Sequence, residues 1–201
     1  MSVPETTQAA LDIFRQHGIL GTSEALALGI HPRTLYALRD AGALERLARG
    51  LYRLAELPPL THPDLVTVAL KVPAGVICLV SALAFHELTT QIPHAVDVAV
   101  QRGSQRPRLE YPPLRVFRFS GAAWTEGVET VVLDDVPVRI THPAKSVADS
   151  FKYRRKLGLD LALEALKAYR EHVAFNVNTL LHYARICRVE EVLTPYLEVL
   201  L

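Results

Sequence analysis

The segment HELTT, His86 to Thr90, opens like the helix of a zinc protease, where two histidines one turn apart hold the metal and a glutamate between them activates water. Thr90 stands where the second histidine is required, so the segment cannot supply both ligands. Lys145 and Asp149 are four residues apart in a helical stretch, the spacing of an ordinary surface ion pair. Asp97, in the strand VDVAVQR, lacks the neighbouring acidic-x-Lys that a metal-dependent nuclease of the restriction-enzyme type would carry. His31, His62 and His142 each directly precede a proline, a placement suited to turns and helix caps. There is no glycine-rich phosphate loop, no GxSxG and no kinase signature. No catalytic residue, metal site or cofactor is expected, and the chain reads as a non-enzyme.

The chemistry on offer is that of arginine. The chain has 22 Lys and Arg against 21 Asp and Glu, a net charge of +1, so any polyanion site must come from local clustering. Arginine outnumbers lysine, and its planar fork suits phosphates and guanine edges. Between Ile30 and Leu54 five arginines face Asp40 and Glu45, a local excess of +3. On a helical wheel Leu35 and Leu38 fall on one side; Arg33, Tyr36, Ala37 and Asp40 fall on the other. Arg33, Tyr36 and Ala37 are therefore the candidates for DNA base edges, and Thr34, Arg39, Arg46, Arg49 and Arg53 those for phosphates.

Those residues need a scaffold, and the sequence outlines one. Thr7 to His17 has helical apolar spacing and stops at Gly18; Thr22 or Ser23 caps a second helix that ends at Gly29. Pro32 starts a third, which runs to Ala41 and stops at Gly42. The stretch GALERLARGLYRL then reads as a short basic hairpin turning near Arg49 and Gly50. Helix-turn-helix followed by a basic hairpin is the order of a winged helix.

The three prolines of AELPPLTHPDL mark a linker, and the chain is cut there into domains 1–57 and 58–201. Beyond it, a helix from Thr61 to Lys71, a buried strand GVICLV and a helix SALAFHEL capped by Ser81 are expected. AVDVAV, LRVFRFS and VPVRITH alternate as strands, and everything after His142 is helical in three or four segments. The fold class is α+β: an N-terminal winged helix-turn-helix, then a mixed sheet of about four strands with a C-terminal helical cluster.

Two further basic clusters lie in the second domain: Arg102, Arg106 and Arg108 in an irregular loop, and Lys152, Arg154, Arg155 and Lys156 near a helix end. The loop is either a solvated connection or a nucleic-acid contact; the second cluster also suits the C-terminus of a helix. Cys78 and Cys187 stand far apart in apolar or helical contexts, with no CxxC and no signal peptide, which points to a reducing cytoplasm. No stretch is long and apolar enough for a membrane helix.

Taken in order, GIHPRTLYALRDAGALERLARGLYRL, SALAFHELTTQIPHAVDVAV and ITHPAKSVADSFKYRRKLGLDLALEALKAY resemble the AbiEi-type antitoxins of type IV toxin-antitoxin systems over nearly the whole chain. The resemblance implies a winged helix that binds inverted repeats in its own promoter and represses its operon, and a C-terminal antitoxin domain. The implied partner is a nucleotidyltransferase-like toxin, opposed without a stable complex. A stand-alone winged-helix regulator, or a protein- or RNA-interaction module with no toxin, is the alternative.

Overall fold

Helix α1 (Glu5–His17) places Ala10 and Phe14 one turn apart on its inward face and ends where Gly18 takes a φ of 70°. The computed structural model describes residues 5–201, which form two compact units divided after Pro63. In the first unit, strand β1 (Ile19–Gly21) leads into α2 (Thr22–Ala27), then α3 (Pro32–Asp40), then β2 (Leu44–Ala48) and β3 (Leu51–Leu54). The strands form an antiparallel sheet in the order β1-β3-β2. Phe14, Leu20, Ile30, Leu35, Leu38, Leu44, Tyr52 and Leu54 close a single small core between helices and sheet. This is a winged helix, with the hairpin as its wing.

One local expectation is corrected here, and one strand goes unread in the sequence. The cap of α2 is Gly21, not Thr22 or Ser23, and the bond that closes it runs the other way: Glu24 Oε2 accepts from the Gly21 amide at 2.7 Å. The third strand, β1, is only 3 residues long, with one buried side chain, and leaves no alternation to read.

The second unit opens with α4 (Pro63–Lys71), then β4 (Val76–Ile77) and α5 (Leu79–Phe85). Strands β5 (Val96–Gln101) and β6 (Leu114–Phe119) follow, then a turn of helix α6 (Ala122–Thr125), and β7 (Val128–Leu133) and β8 (Val136–Thr141). The sheet is mixed, in the order β6-β5-β4-β8-β7, with β5 parallel to β6 and β4 parallel to β8. Helices α7 (Pro143–Lys152), α8 (Arg154–Leu157), α9 (Leu159–Glu171), α10 (Val177–Cys187) and α11 (Glu190–Leu200) end the chain. Leu83, Val147, Phe151, Leu166, Leu180 and Leu193 are among the buried residues that unite them around α7. The protein is α+β throughout, as its pattern predicts.

The stretch GVICLV is not one strand. Extended pairing stops at Ile77, and α5 begins at Leu79, ahead of Ser81. The cap comes from a neighbouring strand: the Asp97 carboxylate accepts from the Val80 amide at 3.1 Å, and Ser81 Oγ accepts from the Asp97 amide at 2.9 Å. A carboxylate there also meets the positive end of the helix. The final helical region has five segments, because the chain breaks at Tyr153 and again at Gly158, whose φ is 95°.

Candidate nucleic-acid interface

The third helix is started by its own sequence. His31 sits at the N-cap, its Nδ1 accepting from the Arg33 amide at 3.2 Å, and Pro32 fills the first helical position, where no donor is needed. His142 and Pro143 do the same for α7, with Nδ1 accepting from the Ala144 amide at 3.1 Å. His62 immediately precedes the first residue of α4. All three His-Pro pairs thus stand at helix starts.

Once α3 is set, Leu35 and Leu38 are buried while Arg33, Tyr36, Ala37 and Asp40 are exposed. Tyr36 keeps 41% of its surface open. Thr34 is half-buried. Arg39 is held in place: it pairs with Asp40 at 2.6 Å, lies 5.1 Å above the Tyr36 ring, and meets the Tyr52 hydroxyl of β3. Arg33, near the start of the helix, is the more available fork.

The wing carries Arg46 and Arg49, both exposed. Arg46 Nε donates to the Ala48 carbonyl at 3.2 Å, which turns the side chain along the strand toward the hairpin end. A bulge between Arg46 and Ala48, with Gly50 at a φ of 67°, bends the hairpin there.

Arg53 does not belong with the phosphate contacts. It is buried, with 3% of its side chain exposed, and pairs across the hairpin with Glu45 at 2.7 Å. The guanidinium also donates to the carbonyls of Leu54 at 3.4 Å, Leu57 at 2.8 Å, and Pro58. It is a structural clasp on the chain leaving the wing. All 4 residues of β3 are buried, so LYRL has no exposed side chain to offer.

The second unit holds the residues first inspected for chemistry, and each has a structural role. Helix α5 ends at Phe85, before HELTT begins. His86 Nε2 lies 2.8 Å from the Thr141 carbonyl, and Glu164 accepts from both the amide and the hydroxyl of Thr90. Asp97 is fully buried and takes a two-pronged bond from Arg115, at 2.5 and 2.7 Å. Burial pushes its carboxyl above the usual range, against the pull of that guanidinium.

Lys145 and Asp149 do pair, at 2.6 Å, but not at the surface: both side chains are fully buried. Lys145 Nζ also stands 4.7 Å from the centre of the Phe119 ring, and Cys187 Sγ donates to the other Asp149 oxygen at 3.1 Å. The i,i+4 spacing reveals the pair but not the face it points to, and this face of α7 packs inward. Burial pushes the thiols of Cys78 and Cys187 well up. Among the described residues no three His, Cys, Asp or Glu side chains gather as a metal site. Among the described residues no helix is long and apolar enough to cross a membrane.

Among the described residues of the first unit, Arg33, Tyr36 and Ala37 on α3 and Arg46 and Arg49 on the wing are exposed. Residues 8–55 match the family model of the AbiEi antitoxin transcriptional regulators. The match runs from within α1 to just past β3, so it covers the winged helix and stops before the second unit begins. Over that segment the chain is similar to the AbiEi antitoxin transcriptional regulators. No curated protein matches the chain. Among solved structures, the crystal structure of the RV2827C protein from Mycobacterium tuberculosis is similar, with a TM-score of 0.58 at 11% identity. That likeness covers 98% of this chain and 82% of the other, and it extends the shared fold through both units.

Proposed function

We propose that the protein is the autorepressor and antitoxin of a type IV toxin-antitoxin system, acting by binding and not by catalysis, in the cytoplasm. The N-terminal half of α3 enters the major groove at inverted repeats in its own promoter, where Arg33, Tyr36 and Ala37 meet base edges. Arg46 and Arg49 of the wing, with Thr34 and Arg39, meet phosphates and fix the register. The second unit opposes a nucleotidyltransferase-like toxin without forming a stable complex with it. One observation carries the reading: a helix with its leucines buried and Arg33 and Tyr36 outward leads directly into a basic wing, within a segment matched by the AbiEi regulator model.

Band shifts of the full chain on its own upstream DNA test it. Arg33→Ala should lose operator preference by roughly 5- to 150-fold, the worth of one good base contact. Arg49→Ala should weaken operator and random DNA alike and flatten the salt dependence by about one charge. If no upstream fragment binds better than random DNA, the repressor reading fails. Because the family match ends at residue 55, a regulator with no toxin is the competing reading. Rescue of cells from a co-expressed neighbouring nucleotidyltransferase separates the two.

A further inference from the structure

Strand β7 ends the second unit's sheet on one side, next to β8. Its pairing with β8 is antiparallel and unbroken over 6 residues, from Val128 opposite Thr141 to Leu133 opposite Val136. One step beyond, the His142 amide donates to the Gly127 carbonyl at 2.9 Å, which fixes the phase of the ladder. Hydrogen-bonded pairs alternate in an antiparallel ladder, so Glu129, Val131 and Leu133 direct their backbone groups to β8. Val128, Thr130 and Val132 therefore turn their N–H and C=O groups outward, away from the sheet. The two-residue turn that follows, Asp134 and Asp135 with φ of 48° and 64°, has the hairpin geometry that keeps the strand regular to its end.

An open edge is ordinarily guarded by lysine, proline, a bulge or a covering loop. The residues of β7, VETVVL, include no Lys and no Pro, and the register carries no bulge. The opposite edge is built differently: Arg118 of β6 donates to the Ser104 carbonyl at 2.8 Å, which draws the loop after β5 to that strand. Along β7, Thr130 is exposed and Val132 keeps 69% of its surface open, opposite the exposed Pro137 of β8. Arg139, opposite Thr130, is engaged elsewhere, with the Ala74 carbonyl at 3.1 Å and over the Trp124 ring at 5.6 Å.

The charge along this edge has one sign. Between Trp124 and Pro137 the charged residues are Glu126, Glu129, Asp134 and Asp135, with no Lys or Arg. Glu126 and Glu129 face histidine rings, His182 at 3.0 Å and His142 at 3.9 Å. A second copy of the chain paired about Thr130, the middle of the three outward residues, would set Asp134 of each against Glu126 of the other. Like charges directly opposite are destabilising, so the edge disfavours itself and favours a strand of opposite charge. We propose that the outer edge of β7 is a strand-addition site for an extended basic segment of a partner protein, one that alternates Lys or Arg with β-branched residues. Backbone bonds to Val128, Thr130 and Val132 supply the attachment, and the acids select the sign of the partner. The site lies wholly in the second unit and does not rest on the DNA-binding reading.

The test titrates the full chain against a short capped peptide that alternates lysine with valine and threonine, followed by fluorescence anisotropy of the labelled peptide. Two control peptides keep its length. One has glutamate in place of lysine; the other keeps the lysines but has proline between them and cannot pair as a strand. Only the first peptide should bind saturably. Thr130→Pro and Val132→Pro each remove one outward amide and no bond to β8, and each should weaken binding by roughly 2- to 12-fold, the worth of one net hydrogen bond. Asp134→Asn with Asp135→Asn keeps a turn that asparagine also adopts, and should weaken binding and flatten its salt dependence. Amide exchange in the wild-type chain, which needs no variant to fold, should slow at Thr130 and Val132 when the peptide is added and change little at Val131 and Leu133. Equal binding of the proline-interrupted peptide, or exchange at Thr130 and Val132 that the peptide leaves unaltered, overturns the inference. So does a dimer dissolved by Thr130→Pro with no uptake of peptide, which would give the edge to a second copy. DNA is absent from every arm, so the promoter reading stands or falls separately.

Discussion

Replacing Lys145 or Asp149 singly should be far more damaging than replacing both. Each is fully buried and each is the other's counter-charge at 2.6 Å. Lys145→Met leaves a carboxylate in the core with only the Cys187 thiol, a weak donor, on one oxygen. Asp149→Leu leaves an ammonium facing the Phe119 ring alone. An uncompensated buried charge costs about 3–5 kcal/mol, whereas a buried pair exchanged for apolar groups of similar size is often neutral or stabilising. The double variant should therefore lie within about 1 kcal/mol of wild type, a coupling of several kcal/mol in a double-mutant cycle. At roughly 2–4 °C per kcal/mol for a chain of this size, each single variant should lose on the order of 10 °C. With two units, a whole-chain melt is not a single transition. Trp124, the one tryptophan, lies in the second unit, so its fluorescence follows that unit alone. Additive losses in the double variant, or single losses below about 1 kcal/mol, would refute the reasoning.

Two other outcomes are expected. Arg53→Leu removes the partner of Glu45 and the donor to the Leu57 and Pro58 carbonyls; it should cost roughly 2–4 kcal/mol in the first unit's melt. A flattened salt slope on DNA with undiminished stability would instead return Arg53 to the surface. Mild acid should weaken the second unit through His142 and His86, both held below the ordinary histidine value of 6.5, chiefly by burial. The unfolded chain takes up the protons first, so their stabilising contribution is complete above about pH 6.5 and is lost as pH falls through the lowered folded values. Protonation would also turn the capping Nδ1 of His142 into a donor facing the Ala144 amide, while Glu129, 3.9 Å away, pulls toward the charged form. Trp124 melts at pH 7.5 and 5.5 check this, and His142→Asn, a cap that does not titrate, should reduce the difference.

The reading of α3 from sequence rests on strong local rules. Proline after a capping residue, then leucines at 35 and 38, fix both where the helix starts and which side is buried. Local rules fail where the partner is remote. The cap of α5 comes from Asp97, 17 residues after Val80, and no pattern near Ser81 announces it. Strand β7 is exposed at three of its six positions and lacks the inward alternation that marks its neighbours. Lys145 looks like half of a surface pair until its surroundings are considered. Ala144, Ser146, Val147, Ala148 and Ser150 are small and buried all round α7, and that crowding of small residues is the signal that the helix is central.

The clasp made by Arg53 decides where the DNA-reading module can be cut free. Its guanidinium reaches past the last strand to the Leu57 and Pro58 carbonyls, so the first unit is stapled to chain beyond the stretch that the regulator family matches. A fragment stopping at residue 55 would leave a cation in its interior with those acceptors gone. The smallest autonomous reader of this protein should extend through Pro58 at least, and the Leu57-Pro58 pair is the tail of the winged helix as much as the head of a linker.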